Sequence, residues 1–389
     1  YRRGMIIERG RNAAISPVCG GRRSFCTEIR QRFFAGSGNK LTGRFMFRVL
    51  KMLVVIIIVI YAISVLFTKP QVIEDTNFGH AQDQQSNTVE IEKVCANTEY
   101  PTRPQTCYSV VDIFNQDSPL LVYRAIYIDG FESEYDTVVQ LIPPPGRDSV
   151  DSDTRMWKVN HTYLSTQYVA AMLTQIFAVS ALSLSEERDN DSALLVIGLG
   201  GGNFDMFLHK RRPKISITVV EIEPIVITLA RKWFDVEDDN KRKTLAMDGI
   251  EAVRIAEVEG TKYDAVVLDA CDTTKAMPCP AKIFLLQKNL RSIKGILKPM
   301  GVFVVNVLML DDRENNEKLV EKTLLSQFPI CLKMQMSEEA NVVFSCLPYS
   351  IDQSSLSNSM NLIKSRLKEA ADKLGIDSAL HYSDLKFIN

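Results

Sequence analysis

Apolar runs of strand length alternating with helical patterns predict an α/β protein built on a doubly wound sheet. Three observations carry that prediction. The run at 193–197 breaks at once into Gly198-Leu199-Gly200-Gly201-Gly202. A second run at 215–220 ends in Glu221-Ile222-Glu223-Pro224, and the alternation then continues to a closing strand pair at 331–336 and 341–347.

The chain has 389 residues, 46% hydrophobic and 24% charged, enough for one large domain with appendages. Its net charge of −1 hides an asymmetry. Residues 1–51 hold twelve Lys or Arg against Glu8 and Glu28, so the remainder carries 34 basic and 45 acidic residues, a net of −11. An acidic main portion argues against nucleic acid as its partner, because phosphate binding needs concentrated positive charge.

Residues 52–67, MLVVIIIVIYAISVLF, carry no charge, and Lys51 and Lys69 flank them. They read as one transmembrane helix, an uncleaved signal anchor whose basic flank keeps 1–51 in the cytosol and puts 68–389 on the luminal side. A cleaved signal peptide, a mitochondrial presequence and a cytosol-facing domain are the competing readings. The sequons Asn160-His161-Thr162 and Asn190-Asp191-Ser192 fit a luminal domain, and six of the eight cysteines follow the span. Cys95 and Cys107, in a polar segment, are the expected disulfide. Cys271, Cys279, Cys331 and Cys346 read as buried thiols.

Residues 68–117 are polar and read as a stalk. The runs 120–128 and 137–142 read as strands of a small β-meander within 118–150, closed by Pro143-Pro144-Pro145-Gly146. From 161 to 184 the pattern is helical, with Leu164, Tyr168, Met172, Ile176 and Val179 on one face. Helix 224–234 has Ile225, Leu229 and Trp233 together. Strand 244–247 ends at Asp248-Gly249, helix 250–258 follows, and strand 263–268 ends at Asp269. A loop at 270–280, a helix through 297, strand 301–308 and helix 313–327 lead to the final pair. Residues 351–389 read as a tail with one amphipathic helix, 362–374.

In an open α/β sheet a ligand lies beyond the carboxyl ends of the strands, where strand order reverses. Gly198, Gly200 and Gly202 follow the first strand, Glu221 and Ile222 the second, Asp248 and Gly249 the third, and Asp269 the fourth. Glycines let backbone approach a ligand closely, and an acid some twenty residues on is placed to accept from ribose hydroxyls. Ile222 is expected against an adenine face and Asp248 as acceptor of its exocyclic amine. A strand-end acid is also a common helix cap, so Asp248 carries that structural reading as well.

VIGLGGG, VVEIEPIVITLARKWF, AMDGIEAV, YDAVVLDACD and ILKPMGVFVVNVL together resemble the spermidine synthase-like Rossmann methyltransferases. The stretch NHTYLSTQY and Met277-Pro278-Cys279-Pro280 are most similar to the C-terminal half of the methyltransferase that modifies the N-terminus and a lysine of elongation factor 1-alpha. The resemblance covers about 118–348. It implies a seven-stranded Rossmann-like methyltransferase sheet with a reversed last hairpin, S-adenosyl-L-methionine as cofactor, and Asp269 as the catalytic residue, with Asp272 as a companion acid. The aminopropyltransferases of the same fold carry an aspartate where this chain has Gly201, and Asp205 is expected to face solvent or the first-turn amides.

The expected activity is S-adenosylmethionine-dependent methylation of an amine of a protein substrate. Aminopropyl transfer, and a membrane-anchored binding protein without catalysis, are the alternatives. No metal is expected, and a homodimer is one expected assembly.

Overall fold

The computed structural model describes residues 87–96, 106–129, 135–272, 274–376, 378 and 381–389. The apolar run 52–67 lies outside them, as do the basic tail and the first part of the expected stalk. Among the described residues no helix is long and apolar enough to cross a membrane.

Two sheets organise these residues. The first is an antiparallel meander in sequence order: β1 (Thr88–Cys95), β2 (Cys107–Phe114), β3 (Val122–Ile128), β4 (Thr137–Ile142) and β5 (Lys158–Val159). It is larger than the sequence suggests, and residues 88–95 and 107–114, expected in a polar stalk, are two of its strands. Charged side chains at Glu90, Glu92 and Lys93 on the edge strand disguised β1 as a linker. Cys95 and Cys107 pair as expected, opposite each other in the β1–β2 register.

The second sheet has eight strands in the order β13-β11-β12-β10-β9-β6-β7-β8. Its parallel part comprises β6 (Ala193–Ile197), β7 (Ser216–Glu221), β8 (Arg242–Ala246), β9 (Tyr263–Leu268) and β10 (Leu297–Leu308). β11 (Ile330–Met336) and β12 (Asn341–Leu347) form the reversed hairpin. The expected seven strands become eight because β13 (Tyr382–Ile388) pairs antiparallel with β11. Leu356–Leu374 and Tyr382–Ile388, expected in a tail, are therefore part of the fold.

The connecting helices are α1 (Gln167–Ala178), α2 (Asn203–Arg211), α3 (Pro224–Trp233), α4 (Gly249–Glu259), α5 (Gln287–Gly295), α6 (Arg313–Leu325) and α7 (Leu356–Leu374). Alternate strand residues feed two cores, as the two-residue period of a strand requires. Leu194 and Val196 join a cluster with α1, α2, α3 and α7, whereas Leu195 and Ile197 face α4, α5 and α6. Helix α1 is shorter than the pattern 161–184, and its polar stripe is missing because it is sandwiched: all but Tyr168 of its residues are buried. It stops where Ser180 takes a left-handed backbone, and a 3₁₀ turn at Glu186–Asp191 precedes β6.

Two buried ion pairs fix the site's framework. Arg124 of β3 pairs with Asp112 at 2.7 Å and donates to the carbonyl oxygens of Trp233 and Thr154, which docks the meander against the end of α3. Asp205, expected to face solvent or the first-turn amides, is instead buried and accepts from Arg242 Nε at 2.6 Å. Arg242 sits on β8 facing the α2 side, so its charge draws the α2 carboxylate inward. Removing one partner of such a pair costs about 3–5 kcal/mol.

The cysteines after β9 are not thiols. Cys331 and Cys346 are direct cross-strand partners in β11–β12 and form a disulfide. Cys271 and Cys279 form another, because the loop between them folds back on itself: Asp272 N donates to the Pro278 oxygen, and Ala281 N to that of Ala270, each at 2.8 Å. The local context of each cysteine carries no sign of either pairing, because both are set by the folded register and loop.

Candidate active site

Strand order reverses between β6 and β9, which lie side by side while their successors run outward in opposite directions. The expected residues gather at the carboxyl ends of these strands. The loop after β6 has left-handed backbone at Gly198, Gly200 and Gly202. A side chain at Gly198 would strike the Asp269 carbonyl, and one at Gly200 would come within 2.5 Å of Thr137 Oγ1 and 3.0 Å of Asp136 Oδ2. The loop is thus bare backbone, locked between β9 and the meander.

Glu221 closes β7 with both carboxylate oxygens engaged. Oε2 accepts from Leu199 N at 3.0 Å and Oε1 from Glu223 N at 2.9 Å, so the acid holds the glycine loop in place. Burial pushes its carboxyl above the ordinary value against those hydrogen bonds. Ile222 next to it is 44% exposed, a large apolar side chain presented at the strand end. Asp248 caps α4, its Oδ1 accepting from Ile250 N at 2.7 Å, and Gly249 packs against Ile197 and Phe284 with no room for a side chain.

Asp269 is braced from two directions. Asn306 Nδ2 of β10 donates to its Oδ1 at 2.8 Å, and Asn341 Nδ2 at the start of β12 donates to Asn306 Oδ1 at 2.8 Å. The Tyr168 hydroxyl donates from α1. Burial lifts the Asp269 carboxyl to about 6, and the donations from Asn306 and Tyr168 restrain the shift. Tyr168 is itself held by the β11–β12 turn, where Glu339 accepts from Gln167 N at 2.7 Å and Tyr168 N at 2.8 Å. That carboxylate caps α1 from another element, a favourable place for negative charge. Asp272, by contrast, pins its own loop by accepting from Thr274 N and Lys282 N.

The sequence did not single out Asp136, Tyr168, Asn306 or Thr137 for this site. Asp136 precedes β4 and reaches the glycine loop, while Thr137 Oγ1 accepts from Gly201 N at 2.9 Å. Burial, then Asp269, then Glu221 push the Asp136 carboxyl to about 7. Asn306 did leave a signal: it is a lone amide in the apolar run VVNVL and is buried. Asp136 left none, because an acid before a strand reads as a loop residue. Two clefts of about 530 and 610 Å³ lie elsewhere, one at Pro119 and Pro143–Pro145, the other between His161, His209 and Asp235, and neither includes a strand-end carboxylate.

Glycine loop, strand-end acids and reversed hairpin occur together within a segment that matches the family model for the spermine/spermidine synthase domain, residues 174–348. That match covers a little under half of the chain. Several curated relatives match about half of this chain. The eEF1A lysine and N-terminal methyltransferase homolog of Drosophila melanogaster is 31% identical over 191 residues, 49% of this chain and 28% of the relative. The eEF1A lysine and N-terminal methyltransferase of Bos taurus is 32% identical over 196 residues, with the same two shares. The matched segment is thus little more than a quarter of those relatives' length. The crystal structure of human methyltransferase-like protein 13 in complex with SAH is similar at 27% identity, covering 52% of this chain and 93% of that one, with a TM-score of 0.45. The segment that matches the family model includes Asp269, Asn306 and Asn341, but Asp136 and Tyr168 precede it.

The raised carboxyls make stability depend on pH. Between about pH 4 and 6 the folded chain keeps a proton on Asp269 that the unfolded chain has lost, so this group's contribution falls as pH rises through that window. Urea unfolding of the wild type and Asp269→Asn at pH 4, 6 and 8 should show the difference moving in the variant's favour by about 1–2 kcal/mol, allowing for solvent screening. Stability curves that stay parallel across the range would contradict the shift.

Proposed function

We propose that this chain is an S-adenosylmethionine-dependent methyltransferase acting on an amine of a protein. The observation that carries the proposal is the braced, proton-avid Asp269 beside a bare glycine loop and Glu221. The relatives' names supply methyl transfer to a protein as the reaction class. The residues fit the cofactor. Side chains are excluded at Gly198 and Gly200, an acid stands at the end of β7, and the cluster of carboxylates suits a cationic ligand.

Gly198, Gly200 and Gly202 would hold the cofactor by backbone, Glu221 its ribose hydroxyls, and Ile222 one face of its adenine. Asp248 Oδ2 and the Gly249 backbone are the adenine-edge candidates, Asp248 Oδ1 being taken by the α4 cap. When bound, S-adenosylmethionine supplies an electrophilic methyl on a sulfonium and leaves as a neutral thioether. Asp269 accepts the proton that the amine loses, and a carboxyl near 6 is a better base at neutral pH than an ordinary aspartate. Asn306 and Tyr168 fix which way that carboxylate points, so alignment of the reactants is built into the fold.

A second reading, aminopropyl transfer, has one observation in its favour. In the sequence, Gly201 leaves the glycine loop without a carboxylate. In space Asp136 brings one to the neighbouring Gly200. The protein offered S-adenosylmethionine and its decarboxylated form in parallel, with a protein extract and putrescine as acceptors, should transfer methyl to protein. Asp269→Asn should lower that turnover about 10²- to 10⁴-fold. Spermidine formed from the decarboxylated cofactor alone would overturn the methyltransferase reading.

We also propose that residues 68–389 face the secretory lumen, anchored by 52–67. Three disulfides support an oxidising compartment, and Asn190 is exposed within its sequon. Glycosidase treatment of the chain expressed in cells should increase its gel mobility. An unchanged mobility, with the domain open to protease from the cytosol, would reverse the topology.

A further inference from the structure

The three strand-end carboxylates differ in how their charge is met. Glu221 accepts two backbone N–H groups, and Asp269 accepts from Asn306 and Tyr168. Asp136 has no such donor among the described residues. What acts on its carboxyl is burial and the like charges of Asp269 and Glu221, and no basic side chain among the described residues counters them. Asp136 as a whole is only half-buried, although its carboxyl sits deep enough for burial to be the largest cause of its raised value. A carboxylate set against two others without a donor is unfavourable, and such a group in a native fold calls for a reason.

Its placement supplies one. Asp136 N donates to the Ile126 oxygen at 2.9 Å, which fixes the residue at the mouth of β4, and Thr137 ties that mouth to Gly201. Asp136 Oδ2 lies 3.0 Å from where a Gly200 Cβ would stand. The loop cannot carry a side chain of its own here. One at Gly201 would run into Phe234 at 2.6 Å and Thr137 at 2.7 Å. The meander therefore delivers to the loop a charge that the loop has no room to hold.

We propose that Asp136 is a ligand-binding residue that receives an ammonium group, namely the one on the amino-acid end of the cofactor. The assignment rests on the adenosyl-cofactor reading above. The cofactor rather than the acceptor is favoured because Asp136 stands against the glycine loop and within electrostatic reach of Glu221 as well as Asp269. Groups facing it are Glu221 from β7, Asp269 from β9 and Tyr168 from α1, all anionic or neutral. An arriving ammonium is then the cation that offsets them, and near neutral pH its binding expels the proton that Asp136 holds.

Calorimetry on the full chain in mild detergent at pH 7.5 tests this with two probes. S-adenosylhomocysteine carries the ammonium, and 5′-methylthioadenosine lacks the amino-acid end. Asp136→Asn should weaken S-adenosylhomocysteine about tenfold to a hundredfold and leave methylthioadenosine within about twofold. Asp136→Glu should recover part of the loss. Proton release, read from the dependence of the heat on buffer ionisation, should accompany S-adenosylhomocysteine binding to wild type and vanish in Asp136→Asn. Equal weakening of both probes would mean that Asp136 only shapes the loop. Unchanged S-adenosylhomocysteine affinity with a raised KM for the amine would move the ammonium to the acceptor, and either result overturns the assignment. Wild-type protein that binds neither probe would remove the cofactor reading and this one together, which separates the two failures.

Discussion

Burying like charges at one point is the constraint around which the strand ends are built. Asp136, Glu221 and Asp269 come from three elements, all have carboxyls raised by burial, and Asp136 feels both of the others. Left in contact with apolar surroundings, such groups would take up protons or force the elements apart. The fold answers with neutral hydrogen-bond donors rather than cations. Backbone N–H groups serve Glu221, an amide and a phenol serve Asp269, and Asp136 is left for a ligand. The result is a site whose negative charge is kept available.

The positive charges that do lie inside the protein are spent on architecture. Arg124 joins the meander to the end of α3, and Arg242 draws Asp205 into the core beneath the α2 side of the sheet. The β11–β12 hairpin has a comparable role at the site's other border. Its turn caps α1 through Glu339 and its first residue orients Asn306, so both donors to Asp269 depend on it. The disulfide between Cys331 and Cys346 ties the two strands of that hairpin together, and the one between Cys271 and Cys279 closes the loop that follows Asp269. Crosslinks at these two places stiffen the surroundings of the same carboxylate.

How much of this was legible follows from sequence distance. The sequence places the strand 263–268 and the pair ending at 347 at their observed bounds or within a residue, because apolar runs bounded by turn residues are local signals. Gly198, Glu221 and Asp269 were also local, each at the end of such a run. Asp136 lies more than sixty residues from the loop it serves, and Tyr168 about a hundred from Asp269, so only tertiary structure brings them in. The edge strands β1 and β13 were missed for a related reason. An edge strand is half solvated and can be as polar as a linker, and pairing rather than composition defines it. Asp205 misled because a first-turn acid normally faces water, and its partner Arg242 lies on another strand.

If the strand-end carboxylates form one adenosyl-ligand site with the glycine loop as its floor, a bound ligand must touch all of them. A crystal structure of the protein grown with S-adenosylhomocysteine tests it most directly. The expected density has adenosine over the loop, ribose hydroxyls on Glu221, adenine against Ile222 and the ligand's ammonium at Asp136. Adenosine density elsewhere on the molecule, with Glu221 still bound only to Leu199 N and Glu223 N, would contradict it.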